Sequence, residues 1–396
     1  MLVCKVVIAY CVLYLQDCFW KGVLNELKLT LHEVVKNESP LLTRLLLLYG
    51  ANCRAVDEKG NTALHIAART GSVHVGTVLL EAGCSVNATN SLKLTPLYQS
   101  LYYGHVNFSL MLIWAGTNVH LRDTRNMTPL HVATLSGNLV AVRALIDCNA
   151  DVNAVDVNGD TPLFNAAIFG DVATGNLLVT AGASVTAING MGCLPLHVAA
   201  WEGNLSFCSL LLNSKSPVDP INLHNLTPLH LAAMEDHALL VQLLINRDAN
   251  VNTLEKNTDS PLHYAAKFGD NCMAKSLVHA GAYICATNFY KFTPLHYAAS
   301  AGHREVCLLL LEKESNVNAA DIKGRTRLHV TAMCAGDIPT ALFLIRCGAD
   351  VTAVDSDGST PLDLACEAEN SEFAKWLEQQ ILAQGKERWR KRSSKH

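Results

Sequence analysis

Apolar and polar positions along this chain recur as a block rather than with a plain helix or strand period. A signature of the form Thr-Pro-Leu-His, or a near variant, begins at 62, 95, 128, 161, 194, 227, 260, 293 and 326, in steps of 33 residues. A further copy, TPLD, starts at 360, and a degenerate one, LTLH, at 29. Each copy carries its own helix-starting chemistry. Thr is a good N-cap, and Pro suits the first helical position, where no N–H partner is lost. Small pairs such as Ala67-Ala68, Ala199-Ala200 and Ala265-Ala266 let neighbouring helices approach closely. Nine residues after the Thr position comes Gly at 71, 104, 137, 170, 203, 269 and 302, where a positive φ ends the helix at little cost. Apolar runs such as Leu210 to Leu212 and Leu308 to Leu311 then predict a second helix. The pattern predicts about eleven helix-turn-helix units, each able to bury its apolar face only by stacking on its neighbours.

These residues resemble the ankyrin repeat, D-x-x-G-x-TPLH-x-A-A followed by Gly, an apolar run and a G-A-D-V-N loop. NADV (149–152), GASV (182–185), DANV (248–251) and GADV (348–351) recur in that register. The resemblance covers roughly residues 29–380. It implies an all-α ankyrin-repeat solenoid of stacked helix-turn-helix units with projecting finger loops. Residues 1–28 form an atypical apolar segment, expected to be a truncated repeat, with a membrane-directing segment as the alternative. Residues 381–396 are expected to be a basic tail. Thr128, His131, His197, His230, His263 and His296 are expected to be structural, since in the family the His bonds the Thr hydroxyl. Departures from the motif mark expected weak points: Leu194 for the capping Thr, Arg327 for Pro, an extra residue near Cys334-Ala335-Gly336, Asp236 for Gly, and SKSPVDP (214–220) for the usual loop.

Composition narrows the function. Half of the 396 residues are apolar and 17% are charged, so the chain can bury a core. Net charge is −4. Residues 386–396 hold six basic side chains and one acidic one, a tail of +5 on a body of −9, which argues against a nucleic-acid surface on the body. The fourteen Cys form no C-x-x-C pair and no zinc-spaced cluster, so no metal is expected and a reducing compartment is. No phosphate-binding Gly loop appears, and Gly190-Met191-Gly192 reads as a turn. The motif His recur a repeat apart and should not converge, whereas catalysis needs convergent groups. A non-enzymatic chain without cofactor is therefore expected.

The stretch NFYKFTPLHYAA (288–299) places three aromatics in a turn. In the architecture that the resemblance implies, the residues before TPLH form a finger tip, and those seven and eight past the Thr lie on the outward face of the first helix. Together they line the concave side and are not needed for stacking. Tips then include Leu92, Leu94, Met127, Met191, Leu223, Leu226, Phe289, Tyr290 and Phe292. Helix positions include Tyr102, Tyr103, Ile168, Phe169, Trp201, Met234 and Phe268. Such a set is the chemistry of an interaction stripe. The first repeats present polar Glu58, Lys59, Asn61, Arg69 and Thr70 instead. The expected function is a protein-protein interaction scaffold or adaptor, monomeric, cytoplasmic and, through RWRKR, also nuclear. Alternatives are a substrate-recognition subunit of a ubiquitin ligase, or the repeat-only form of a longer ankyrin protein. Small-molecule substrates, nucleic acid and membrane are not expected as partners. The resemblance also implies β-hydroxylation by an asparaginyl hydroxylase at Asn87, Asn153, Asn252 and Asn318.

Deleting residues 1–21 should leave the protein in the soluble fraction. Loss of a membrane-bound fraction on deletion, read by fractionation and blotting, would instead support the membrane-directing alternative.

Overall fold

Helices start wherever the motif places its cap. The computed structural model describes residues 30–313, 315–333 and 337–393, with side chains through residue 383. The described residues hold 22 α-helices in eleven pairs and no β-strand beyond two isolated bridges. They divide into two units, Met1–Ser184 and Val185–His396. In the first unit the pairs are α1 (Leu31–Lys36) with α2 (Pro40–Leu48), α3 (Ala63–Thr70) with α4 (Val73–Glu81), α5 (Pro96–Tyr102) with α6 (Val106–Trp114), α7 (Pro129–Leu135) with α8 (Leu139–Asp147), and α9 (Pro162–Phe169) with α10 (Val172–Thr180). In the second they are α11 (Pro195–Trp201) with α12 (Leu205–Asn213), α13 (Pro228–Met234) with α14 (Ala238–Ile245), α15 (Pro261–Phe268) with α16 (Asn271–His279), α17 (Pro294–Ser300) with α18 (Arg304–Glu312), α19 (Arg327–Met333) with α20 (Ile338–Arg346), and α21 (Pro361–Glu367) with α22 (Ser371–Ser393).

The core follows from two registers. The motif Leu of the first helices, Leu64, Leu97, Leu130 and Leu163 in one unit and Leu196, Leu229, Leu262, Leu295 and Leu328 in the other, is buried, and so are the Ala pairs behind it, while Leu362 in the last repeat is half-buried. In the second helices a buried residue recurs one helical turn before a buried Leu: Phe108 with Leu112, Phe207 with Leu211, Met273 with Leu277, Val306 with Leu310. That four-residue spacing is one helix stripe, so each second helix seals its own repeat against the next.

The motif His links successive repeats. At Thr128 the backbone N–H donates to His131 Nδ1 at 3.2 Å, and the Thr Oγ1 lies 2.8 Å from the same nitrogen. The other ring nitrogen, Nε2, lies 3.1 Å from the carbonyl of Asp160, the residue before the next motif. His65 reaches Leu94 O, His230 reaches Asp259 O, His263 reaches Phe292 O and His329 reaches Ser359 O in the same way. An Nδ1 that accepts and an Nε2 that faces a carbonyl fix the neutral imidazole with its proton on Nε2. Burial of these rings pushes His197, His230 and His296 down to about 4, and holds His65, His131, His263 and His329 below the usual imidazole range. His296 is the exception in geometry. Its buried Nε2 does not reach the carbonyl before the next cap, and Arg327 replaces Pro in the repeat that it would reach.

The expected weak points are mostly repaired. Leu194 has no hydroxyl, yet its N–H still donates to His197 Nδ1 at 2.9 Å, so half of the cap survives. Asp236 takes the left-handed conformation of the missing Gly, with φ +61°. In 214–220, Asp219 falls in register with Asn252 and accepts from Asn250 N–H at 2.9 Å, while His197 reaches Pro220 O as well as Leu226 O. Arg327 is buried at the start of its helix. The motif position of the last repeat holds Asp363, which takes both the N–H and the hydroxyl of Thr360. Helix α22 runs on through Ser393, so the backbone of the expected basic tail is helical as far as that residue. The expectations for residues 1–28 and for the insertion at 334–336 lie outside the described residues.

A His held neutral in the fold destabilises it under acid. The unfolded chain titrates near pH 6.5 and the folded one near 4, so the unfolded state binds more protons between those values. Stability should be full above about pH 7 and fall between about 6.5 and 4, by roughly 1 kcal/mol per pH unit for each such His. Urea midpoints by circular dichroism should drop steadily across that window and stay flat from pH 7 to 8.

Candidate protein-binding surfaces on the fingers and inner helices

Each finger is a tight turn held by one acceptor side chain at its base. Asp321 Oδ1 accepts from the N–H groups of Lys323 and Arg325, at 2.8 and 2.9 Å. Asn288 does so for Tyr290 and Phe292, Glu255 for Asn257 and Asp259, Asn222 for His224 and Leu226, and Asp123 for Arg125 and Met127. A short polar side chain that replaces a turn's missing backbone partner is the usual logic of such loops. Adjacent fingers are then tied tip to tip. In the second unit Leu223 N–H donates to Met191 O, Lys256 to His224 O, Phe289 to Asn257 O, Ile322 to Tyr290 O and Ser356 to Lys323 O, all within 2.9–3.2 Å. In the first unit Ser91 donates to Lys59 O and Val157 to Arg125 O.

The ends of the inner helices are fixed by a second set of His. His105, His237 and His303 cap the second helices of their repeats, and their Nε2 atoms lie 2.9–3.0 Å from Arg69 O, Trp201 O and Lys267 O of the preceding repeat. Each ring lies over the Gly that ends that helix. A Cβ at Gly71, Gly203 or Gly269 would fall 2.3–2.5 Å from it, so Gly is required there by space as well as by its positive φ. The 33-residue pattern by itself marks these Gly as turn-formers only. A His 34 residues after each of them was the available signal.

In the first unit Tyr102 and Phe169 are 65% and 62% exposed, with Tyr103 and Ile168 exposed beside them. Tyr102 and Tyr103 meet edge to face at 5.3 Å. With Leu92, Tyr98, Asp123 and Arg125 they line a cleft of about 300 Å³. Arg125 donates to Tyr98 OH at 2.9 Å, and burial raises the Tyr98 hydroxyl's pKa. In the second unit Trp201, Phe268, Phe289 and Tyr290 are exposed, and Phe289 is 69% so.

Several expected surface positions are withdrawn, among them Leu94 and Leu226, which are half-buried. Met127 is buried. Phe292 is half-buried, packed on His296 at 5.6 Å and on Tyr297 at 6.2 Å between ring centres, because the residue just before the cap tucks beneath the turn. Met234 is also half-buried. Asn61, expected to be polar surface, is buried and accepts from Asn90 and Gln99. The aromatics of the stretch 288–299 therefore split: Phe289 and Tyr290 point outward, and Phe292 supports the turn. Asn153, Asn252 and Asn318 each bridge to the next repeat's loop, accepting an N–H from it and donating to a Gly carbonyl, and Asn87 accepts from Asn118 N–H.

Among the described residues no group of three His, Cys, Asp or Glu is placed to hold a metal, and no helix is long and apolar enough to cross a membrane. The ten described Cys form no disulfide. Burial pushes the Cys208 and Cys307 thiols up to about 12, which makes them poor nucleophiles.

Paired helices, capped turns and tied fingers define a repeat protein whose tips and inner-helix ends are left free of stacking. The chain belongs to the ankyrin repeat family. The model for three ankyrin repeats matches residues 31–123, 109–189, 174–255, 196–288 and 229–321, and that for many ankyrin repeats matches 328–378. The chain is similar to the human ASB11 ankyrin repeat domain in its crystal structure, with 29% identity and a TM-score of 0.51 over 55% of this chain and 98% of that one. It is also 41% identical over 54 residues to the tyrosine-protein kinase HTK16 of Hydra vulgaris. That match spans 13% of this chain and only 7% of the kinase.

Replacing Gly269 by Ala should displace the His303 ring and loosen the end of α15. The left-handed strain and the lost hydrogen bond together should cost about 2 kcal/mol, read as a lowered thermal midpoint. The double variant Gly269→Ala/His303→Ala should recover part of that loss.

Proposed function

We propose that this chain is a non-enzymatic protein-binding module that grips other proteins through its finger tips and inner-helix ends, in the role of a scaffold or adaptor. Ankyrin repeats are in general protein-interaction modules. The observation that carries the reading here is the set of large rings left exposed on backbone that is already fixed: Tyr102, Tyr103 and Phe169 in one unit, and Trp201, Phe268, Phe289 and Tyr290 in the other. Rigid aromatic anchors lose little conformational entropy on binding, and hot spots favour them. The buried His and Cys supply no nucleophile or base at these surfaces, which supports a binding role over a catalytic one.

The triple variant Phe169→Ala, Trp201→Ala, Phe268→Ala should keep the circular dichroism spectrum and thermal midpoint of the wild type, and should lose the proteins that the wild type captures. Each ring is worth on the order of 2 kcal/mol. Affinity capture with mass spectrometry makes the comparison. Full capture by the folded triple variant would overturn the reading.

A further inference from the structure

The second unit carries an unbalanced charge beside its rings. Over the repeats that start at Ser260, Thr293 and Thr326, the tips and inner-helix ends expose Lys256, Lys267, Lys291 and Lys323. The carboxylates within the same fingers are turned inward. Glu255, Asp259 and Asp321 are all buried. Glu255 and Asp321 hold their own turns, and Asp321 also takes Arg325 at 2.7 Å. Asp259 accepts from Asn288 at 3.0 Å and from Tyr297 OH at 3.3 Å. Asp270, two residues past Phe268, caps α16 through Cys272 N–H and Met273 N–H. Among the described residues none of the four Lys lies within ion-pair distance of a carboxylate. The same geometry that shapes each finger therefore hides its negative charge and leaves its positive charge outside. Exposed acids flank the row, Glu235 before it and Asp357 after it, and Glu305 is exposed in the first turn of α18.

Between the Lys lie Phe268, Phe289, Tyr290 and Ile322, all exposed. Lys267 Nζ lies 5.5 Å from the centre of the Phe268 ring, and Phe289 meets Tyr290 edge to face at 5.5 Å. The tip-to-tip bonds fix the spacing of these groups before any partner arrives.

We propose that this row, from Lys256 to Lys323, binds an acidic peptide segment whose carboxylates alternate with aromatic or aliphatic side chains. This rests on the protein-binding reading above and names the class of partner. Each Lys meets a carboxylate at the rim, where charge sets specificity and on-rate, and the rings take the apolar side chains between. A nucleic acid fits less well. Its charge is dense and acts at long range on a chain of net −4, and the edge-to-face Phe289–Tyr290 pair presents no stack of parallel faces to bases.

The test is a panning of displayed random short peptides on the full chain, wild type against Lys256→Glu/Lys291→Glu/Lys323→Glu. All three positions are exposed, and a circular dichroism spectrum checks the fold. Wild type should enrich peptides rich in Asp and Glu interleaved with Phe, Trp or Leu. The charge-reversed protein should bind those peptides at least about tenfold more weakly, and their affinity for the wild type should fall with added salt. Enrichment of neutral or basic peptides by the wild type would overturn the acidic class and leave the protein-binding reading standing. Enrichment of no peptide would overturn both. Tighter binding of an oligouridylate, or of phosphatidylserine vesicles, than of the best peptide would replace this partner class with nucleic acid or membrane.

Discussion

The histidine that joins one repeat to the next is the interaction on which the rest depends. Its Nδ1 completes the cap of its own helix, and its Nε2 faces the carbonyl before the following cap. A single neutral ring thus closes two backbone groups that burial would otherwise leave unsatisfied. Because the second group belongs to the next repeat's finger, the same bond places that finger. Where the sequence changes this residue, the chemistry changes with it. Asp363 can only accept, and it serves the cap of the last described repeat, where no further finger follows in the described residues.

Hydrogen bonds then explain why the fingers can vary. Each tip is shaped from beneath by one Asp, Asn or Glu and tied sideways through main-chain atoms. Neither support uses the side chains at the tip itself. Lys, Phe, Tyr, Leu and Arg therefore occupy equivalent positions on nearly the same backbone. The inner-helix ends are anchored through main-chain carbonyls by His105, His237 and His303, which likewise leaves Trp201 and Phe268 unencumbered.

The repeat fold was legible because it is written in backbone chemistry. The 33-residue recurrence of Thr, Pro, Leu, His and Gly names the cap, the first turn, the core and the stop. The surface was less legible. Sequence position alone placed Phe292, Phe289 and Tyr290 together, although one supports the turn and the other two leave it. The difference lies in where each Cα faces once the Asn288 side chain has closed the loop. Asn61 and Met127 were misplaced for the same reason, since the residue before the cap is buried or half-buried in every described finger. The repaired positions were also hidden. Asp219 reads as an irregularity until its carboxylate is seen to take the place of the Asn amide oxygen found one repeat further on.

Among the described residues the hydrogen bonds that join repeats within each unit reach only the adjacent one, at separations from 23 to 38 residues. Under tension applied along the stack, load would pass through one junction after another rather than across a shared core. The weakest junction would yield first, and the modules beyond it would stay folded. His296, whose Nε2 does not make the forward bond of the other motif His, shows that the junctions are not all alike, so a pulled molecule would lengthen in discrete steps, one junction at a time.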